Sequence, residues 1–332
     1  MTSPASRLPD APLPEAPLPG SPLPDALPPD RYPLAVIGAG ALGLHFAARL
    51  AEVMPVAVIA RDDARAARLR AGVRVGDRSF AAEAFAADAP PPADWVIVLV
   101  KAGDTAAAAA IAERMQPLGV LSLQNGLTGD LLRAHCRAPR VDQGITTEGA
   151  YREATTEGER VQPSGAGETL LPPGFEPVAE MLMRAGLHAC VEPDIARARL
   201  AKLLVNVAIN PLAALHRVRN GALLEPPYRE TLDALVREAW PVMHAAGLTL
   251  DLDAALARVR AVATATATNR ASMLQDVLAG RRTEIDAITG ALLRMAARHG
   301  LAVPAHEALY HAVKALEPDE ALLSGSRPCT GT

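Results

Sequence analysis

The chain has 332 residues, half of them hydrophobic and only 3% aromatic, so we expect two domains with cores built mainly from Ala, Leu and Val. A formal net charge of −4 and a pI near 6.1 lack the basic footprint of a nucleic-acid-binding protein. Three widely spaced cysteines, Cys136, Cys190 and Cys329, predict neither a disulfide framework nor a metal site. A reducing, cytoplasmic location is the simplest expectation.

Both ends of the chain are predicted to be disordered tails. Residues 1–31 carry Pro-Leu-Pro repeats broken by polar residues, and such a segment cannot bury enough apolar surface to offset its ordering entropy. It lacks the pattern of a secretory signal or a transit peptide. A disordered tail or a misplaced start is favoured over a polyproline ligand for a partner. Residues 319–332 form the second predicted tail, and no apolar run predicts a membrane span.

Apolar runs alternate with helical patterns in the first half of the chain. This alternation predicts an α/β fold, with a Rossmann-type, doubly wound parallel sheet over residues 32–193. The stretch from about 139 to 172 is expected to complete this sheet. From Asp194 the pattern becomes helical, which predicts an all-helical domain over residues 194–318. The predicted strands are Leu34–Ile37, Val56–Ala60, Val73–Val75, a short one near Phe80, Trp95–Val100 and Val120–Leu123.

A glycine-rich turn follows the first predicted strand and opens a helix. In this context, backbone N–H groups and the helix N-terminus bind a pyrophosphate, so the turn predicts a dinucleotide site. Its residues are Gly38, Ala39, Gly40, Ala41, Leu42 and Gly43.

The residue that ends the second strand helps to select the cofactor. Arg61 stands there, and a guanidinium favours the 2′-phosphate of NADPH, although Asp62 or Asp63 could instead bind a ribose. Lys101 and Asn125 follow the next two buried strands. They therefore lie at the carboxyl edge of a parallel sheet, where ligands bind, although either is equally well explained as a loop residue.

Three polar residues repeat along one predicted helix in the second half. Lys202, Asn206 and Asn210 are spaced i, i+4, i+8, which places them on one face between apolar neighbours. A polar-lined cleft is favoured over a solvent face, because solvent faces usually carry Glu, Arg and Lys. Pro211 is predicted to kink or end this helix just beyond Asn210.

Two further segments carry polar residues that pattern alone does not assign to a site. Ser272 and Asp276 lie one turn apart on a short predicted helix that ends near Gly280. The segment Thr283–Asp286 is predicted to start the next helix. Glu284 would then have an ordinary role as an acidic residue in a first turn, and Ser272 could be a surface hydroxyl.

Taken in order, these motifs resemble the ketopantoate reductase (2-dehydropantoate 2-reductase) family over roughly residues 34–316. The glycine turn and Arg61 belong to the resemblance, but such a turn is shared by many enzymes. The specific part is the ordered set in the second half. The motifs beyond Arg61 are Lys101, Gln124-Asn125-Gly126, Lys202-x3-Asn206-x3-Asn210, Asn220, Asn269-x2-Ser272-Met273-x-Gln275-Asp276 and Thr283-Glu284-Ile285-Asp286-x3-Gly290.

The resemblance implies NADPH-dependent reduction of 2-dehydropantoate (ketopantoate) to (R)-pantoate in pantothenate biosynthesis. It implies that Lys202 is the general acid and that Glu284 orients it or pairs with its charge. The implied cofactor contacts, besides the turn and Arg61, are Lys101, Asn125 and Glu284. The implied substrate anchors are Lys101, Asn125, Asn206, Asn210, Asn220, Asn269 and Ser272.

Two alternatives stay open at this point. The same anchors would suit another branched or aromatic 2-oxo acid, and a regulator could bind NADPH without doing chemistry. Lys202 and Glu284 argue against the regulator, because a sensor has no use for a proton donor. The expected partners are a small-molecule 2-oxo acid and, through an apolar face of the helical domain, a second copy of the chain. Neither nucleic acid nor a membrane is an expected partner.

Overall fold

The computed structural model describes residues 30–155, 158–165 and 167–318. Residues 1–29 and 319–332, where the tails are predicted, lie outside the described residues. Arg31 was placed within the first tail, but its Nε donates a hydrogen bond to Asp94 Oδ1 at 2.6 Å. The strands, in chain order, are β1 Tyr32–Ile37, β2 Val56–Ala60, β3 Val73–Val75, β4 Arg78–Phe80, β5 Glu83–Ala86, β6 Ala93–Val98, β7 Gly119–Ser122, β8 Arg140–Gln143, β9 Ile145–Thr146, β10 Ala150–Thr155, β11 Gly158–Pro163, β12 Glu168–Leu171 and β13 His188–Val191.

Six parallel strands form the main sheet, in the order β5-β2-β1-β6-β7-β8. The strand order reverses at β1, which lies between β2 and β6. In such sheets the crevice at this reversal, at the carboxyl ends of the strands, is where ligands bind. The fold therefore has the predicted doubly wound, Rossmann-type arrangement.

Helices cover both faces of the main sheet because side chains alternate across each strand. In β1, Leu34 and Val36 pack into a core with the helix that follows the glycine turn, whereas Ala35 and Ile37 pack into a core on the opposite face. The helices of this half are α1 Ala41–Ala51, α2 Asp63–Ala71, α3 Thr105–Arg114, α4 Gly129–His135 and α5 Glu176–Arg184.

The prediction that residues 139 to 172 complete the main sheet is wrong except for β8. Strands β10 and β11 pair with each other as an antiparallel hairpin, and β11 joins β3 and β4 in a separate sheet. Strands β9 and β12 form a third sheet with β13. Two consecutive strands can both join a parallel sheet only if a long crossover connection links them. Only two residues separate β10 from β11, so these strands pair as an antiparallel hairpin outside the main sheet.

The chain after β13 is helical, as predicted, and is built around one long helix. The helices are α6 Ile195–His216, α7 Arg229–Ala245, α8 Leu252–Ala265, α9 Ser272–Leu278, α10 Thr289–His299 and α11 Pro304–Lys314. Helix α6 contacts each of the other five. Its length and mean hydropathy of 1.3 would suit a membrane span, but 67% of its most apolar window is buried within the protein, as in the core helix of a domain.

Two predicted helix boundaries are wrong. Of the two predicted effects of Pro211, a kink or an end of the helix, the end does not occur, since α6 continues to His216. The residues after the proline, such as Leu212 and Ala213, are buried in the helical core, and their packing outweighs the lost N–H bond. Residues Thr283–Asp286 do not begin α10, which starts only at Thr289. Glu284 instead lies in a bend, five residues before α10 begins. It is therefore not an acidic residue in the first turn of that helix, the ordinary role that the sequence suggested.

The loop after β7 joins the sheet half to the helical half. Gly126 has a φ of 76°, and the Leu127 N–H donates to the Ala287 carbonyl at 3.2 Å. A Cβ at position 126 would lie 2.2 Å from the Ala287 oxygen. Only glycine therefore allows this close approach.

We predict that Gly126→Ala destabilises the protein by about 1–3 kcal/mol, because the new Cβ meets a backbone carbonyl at a positive φ. The melting temperature should fall clearly relative to wild type. Gly103→Ala is the matched control, since nothing lies within 4 Å of a Cβ at that exposed position. Equal melting temperatures for the two variants would contradict the close contact.

Candidate active site

The glycine turn leaves open space where a pyrophosphate would bind. Gly38 has a φ of +124°, and a Cβ there would lie 2.7 Å from the Leu99 carbonyl carbon. A Cβ on Gly43 would lie 1.8 Å from the Gly38 oxygen, so both positions need glycine to close the turn. Gly40, the N-cap of α1, has nothing within 4 Å of its Cβ position. The turn thus fits a dinucleotide phosphate at the start of α1.

Guanidinium groups surround this turn. The Ala39 carbonyl accepts hydrogen bonds from Arg65 Nη2, at 3.3 Å, and from Arg152 Nη2. Arg61 follows β2 with 93% of its side chain exposed. Asp62 is instead used as the N-cap of α2, since its Oδ1 accepts from the Arg65 N–H at 2.7 Å. Asp62 and Asp63 were the two alternative ligands for a ribose hydroxyl. Asp62 already has a structural role as a helix cap.

A buried network holds the loop that carries Asn125. The Gln124 side chain donates from Nε2 to the Val100 carbonyl and to Thr105 Oγ1, both at 3.0 Å. The Gln143 side chain donates from Nε2 to the Gly126 carbonyl at 2.8 Å. These amides fix the chain on both sides of Asn125, so its side chain has a defined direction at the carboxyl edge of the sheet.

Asn125 connects Lys202 to Glu284. Lys202 Nζ donates to Asn125 Oδ1 at 3.2 Å and to the Thr146 carbonyl at 2.6 Å. Asn125 Nδ2 in turn donates to Glu284 Oε2 at 3.2 Å, and the Ala102 N–H lies 3.4 Å from Glu284 Oε1. The lysine and the glutamate are thus joined through an amide rather than by a direct ion pair.

Burial shifts the pKa of both titratable groups in this chain of contacts. Removal of the Lys202 ammonium from water lowers its pKa to about 8, while the charge of Glu284 acts to raise it. Burial raises the pKa of Glu284, and Lys101 and Asn125 act in the opposite direction. A lysine with a pKa near 8 keeps its proton at neutral pH and can release it readily to a developing alkoxide.

Lys101 reaches across to the helical half. Its Nζ forms an ion pair with Asp276, whose carboxylate is buried and also accepts from Arg281 Nε at 3.2 Å. Asp276 lies on α9, four residues after Ser272, which is exposed at the start of that helix.

The remaining predicted anchors divide into two groups. Asn206 and Asn210 follow Lys202 on α6; Asn206 lines a cavity with it, and Asn210 is buried. Asn220 and Asn269 contact each other, since the Asn220 N–H donates to the Asn269 carbonyl at 3.1 Å. Neither of these two residues has a hydrogen bond to Lys202, Asn125 or Glu284. The Asn220 side chain donates to a threonine on its own half of the chain, and its Oδ1 is buried without a partner among the described residues.

The sequence analysis assigned no role in the site to three residues that the structure places there. Thr146 contributes a backbone carbonyl, which leaves no signal in the sequence. Asp276 was named in a helix pair and in a motif of the resemblance but was given no role, because its link to Lys101 depends on the contact between the two halves. Arg199 lines the cavity beside Lys202, and its i−3 position on the same helix was a readable signal.

Among the described residues, no cluster of His, Cys, Asp and Glu could hold a metal ion.

Comparison with known proteins identifies the family to which the chain belongs. The family described as "Ketopantoate reductase PanE/ApbA" matches residues 34–173, and its C-terminal counterpart, "Ketopantoate reductase PanE/ApbA C terminal", matches residues 194–317. The chain belongs to the ketopantoate reductase family. This family is one of nicotinamide-cofactor reductases.

Curated relatives and solved structures agree with this family. The 2-dehydropantoate 2-reductase of Archaeoglobus fulgidus is 34% identical over 289 residues, which cover 85% of this chain and 97% of the relative. A probable 2-dehydropantoate 2-reductase from Bacillus subtilis has a similar structure, with a TM-score of 0.71 and 32% identity, covering 86% of this chain and 99% of its own. D-mandelate dehydrogenase in complex with NADH and anilino(oxo)acetate has a TM-score of 0.76 at 22% identity, covering 85% of this chain and 97% of its own, and shares the fold.

We predict that Glu284→Gln lowers the pKa of Lys202 below its value of about 8, because the substitution removes the carboxylate charge that favours the ammonium. The pH dependence of Lys202 acetylation, followed by mass spectrometry, measures this pKa. Glu113→Gln, at an exposed position on α3, is the control and should leave the pKa unchanged. An unchanged or raised pKa in Glu284→Gln would contradict the electrostatic coupling.

Proposed function

We propose that this protein reduces 2-dehydropantoate to (R)-pantoate in pantothenate biosynthesis. The observation that carries the proposal is the connected set Lys202, Asn125 and Glu284, at the carboxyl edge of a sheet whose glycine turn fits a dinucleotide. The family match over both halves of the chain supports the same reaction. A sensor without chemistry is disfavoured, because it would not need a lysine whose ammonium is buried and has a lowered pKa.

In this proposal Lys202 is the proton donor. The cofactor, when bound, supplies the hydride. The Thr146 carbonyl and Asn125 Oδ1 hold the Lys202 ammonium in place, so that it can stabilise and then protonate the oxygen of the ketone as that oxygen becomes an alkoxide. Glu284 favours the charged form of the lysine from the other side of Asn125.

The other anchors are proposed as substrate ligands. Asn206 and Asn210 continue the face of α6 that carries Lys202, and Ser272 lies at the start of α9, four residues before Asp276, the partner of Lys101. Amide and hydroxyl groups can bind the hydroxyl and carboxylate of the substrate. Asn220 and Asn269 belong to the helical half around them and are proposed to support this group.

We propose NADPH as the cofactor. Arg61 ends β2, where the 2′-phosphate of NADP binds in Rossmann folds, and Asp62 is engaged as a helix cap. The turn residues Gly38 to Gly43 would hold the pyrophosphate. Lys101, Asn125 and Glu284, at the ends of the neighbouring loops, would contact the nicotinamide ribose.

The proposed domains are a cofactor domain over residues 32–193 and a substrate domain over 194–318. A homodimer is also proposed, since a structural neighbour at 18% identity is described as a dimeric ketopantoate reductase from Staphylococcus aureus. A cytoplasmic location is proposed because the curated relatives are named 2-dehydropantoate 2-reductases, and a small-molecule reductase that takes its hydride from a nicotinamide cofactor suits that compartment.

A panel of branched and aromatic 2-oxo acids, assayed by loss of NADPH absorbance, tests the function. Ketopantoate should give the highest kcat/KM. A higher kcat/KM for another 2-oxo acid would contradict the proposed substrate and favour a reductase of that acid. Absence of turnover with every acid would contradict the proposal that the protein is a 2-oxo acid reductase.

Replacement of Arg61 by Ala should weaken NADPH binding roughly ten- to a hundredfold, because a charge-assisted phosphate contact contributes about 1.5–3 kcal/mol. NADH affinity should hardly change. Arg68→Ala, at an exposed position on the next helix, is the matched control. Fluorescence titration with both cofactors measures the effect, and an equal loss for NADH and NADPH would mean that Arg61 does not bind the 2′-phosphate.

Replacement of Lys202 by Ala should lower kcat by at least roughly a hundredfold, since general acid catalysis typically contributes about 10²–10⁴-fold. Cofactor affinity should change little, because the glycine turn and Arg61 lie elsewhere in the fold. Steady-state kinetics and cofactor titration of the same preparation separate the two effects. Near-normal kcat in the variant would assign the proton to another group.

A further inference from the structure

Glu284 lies in a segment without regular secondary structure. Residues 281–288 connect α9 to α10 and belong to neither helix nor strand. The Glu284 carboxylate contacts the sheet half only at 3.2 Å, through Asn125 Nδ2, and at 3.4 Å, through the Ala102 N–H. Both contacts are long for hydrogen bonds to a carboxylate. The place of the carboxylate therefore depends on how the backbone of this bend is held.

Glu317 holds the residue directly before Glu284. The Thr283 N–H donates to Glu317 Oε1 at 2.9 Å, and the Thr283 hydroxyl donates to the same oxygen at 2.5 Å. Glu317 follows the end of α11, and only 8% of its side chain is exposed. Hydrogen bonds to a carboxylate that is shielded from water are stronger than those between neutral groups. The end of α11 thus fixes the backbone at Thr283.

Side chains of α11 also hold Asp286, on the other side of Glu284. Lys314 Nζ donates to Asp286 Oδ2 at 3.1 Å and to Glu317 Oε2 at 2.8 Å, and the Tyr310 hydroxyl donates to Asp286 Oδ1. The Asp286 side chain is 60% exposed, so its ion pair contributes less than the shielded contact of Glu317. Helix α11 packs against α6. These contacts therefore connect the bend to the helix that carries the proposed proton donor.

The place of Glu284 matters because its charge acts on Lys202 across Asn125, without a direct ion pair. The attraction between two charges falls as the distance between them grows. Lys101 and Asp276 also act on Glu284, from the loop after β6 and from α9, and they are held by each other rather than by α11. A loosened bend would therefore change the effect of Glu284 on Lys202 while these two charges keep their places.

We propose that Thr283 and Glu317 are positioning residues, which hold the bend so that the Glu284 carboxylate stays beside Asn125 and acts on Lys202. The inference rests on the roles proposed for Lys202 and Glu284. It extends the site to α11, a helix that supplies none of the side chains assigned to the substrate or the cofactor.

The test follows the pKa of Lys202 in ligand-free protein, through the pH dependence of its acetylation. Thr283→Val removes the hydroxyl donor but keeps the shape of the side chain, and Glu317→Ala removes the acceptor. Both variants should lower the pKa of Lys202 in the same direction as Glu284→Gln but by less, because the carboxylate is displaced rather than lost. Thr283→Ser, which restores the donor, should return the pKa to its wild-type value.

Glu238→Ala is the matched control for a general loosening of α11. Glu238 accepts from the Ala305 and His306 N–H groups, at 3.0 and 2.9 Å, at the opposite end of that helix. Its loss should lower the melting temperature, as the loss of Glu317 does. The pKa of Lys202 should nevertheless remain that of wild type in the control.

A double variant separates positioning from a merely structural role. Adding Thr283→Val to Glu284→Gln should shift the pKa of Lys202 no further, because the charge on which Thr283 acts is already gone. An unchanged pKa in Thr283→Val and Glu317→Ala, an equal shift in the control, or a further shift in the double variant would overturn the proposal. If Glu317→Ala fails to fold, Thr283→Val decides the outcome alone. Failure to reduce ketopantoate would contradict only the proposed function, since the pKa is measured without substrate.

Discussion

The burial of one ammonium group, on Lys202, is the constraint on which the rest of the site depends. An ammonium that leaves water loses free energy unless hydrogen bonds and a nearby negative charge compensate. The Thr146 carbonyl and the Asn125 amide supply the hydrogen bonds, and Glu284 supplies the charge. These three partners come from strand β9, the loop after β7 and the bend before α10, so the fold must bring the sheet and the helical half together before the lysine can function.

The sheet meets this requirement through its carboxyl edge. Asn125 in the loop after β7 and Thr146 in β9 both contact Lys202 of α6. The loop after β7 also passes so close to Ala287 that only glycine fits at position 126. The same approach places Glu284, three residues before Ala287, next to Asn125. The contact between the halves and the assembly of the site are therefore one feature, and Gly126 connects stability to chemistry.

Sequence analysis was successful where periodicity or spacing alone determined the outcome. The glycine turn, the buried parallel strands and the polar face of α6 all follow from local pattern. It failed where contacts between residues far apart in the sequence determine the structure. Packing around Leu212 allows α6 to continue past Pro211, and the hairpin β10–β11 belongs to a separate sheet rather than to the main one. The acceptor role of the Thr146 carbonyl could not be predicted, because any residue has a backbone oxygen. The roles of the site residues themselves remain predictions, although the structure brings Lys202, Asn125 and Glu284 together.

The pH dependence of kcat/KM for ketopantoate tests most directly whether this buried lysine is the proton donor. In wild type the rate should fall as pH rises through about 8, the pKa of Lys202, because only the ammonium form can donate a proton. The Lys202→Ala variant should lack this decline in its residual activity. A wild-type rate that stays constant well above pH 8, or a variant with the same decline, would contradict the central role assigned to Lys202.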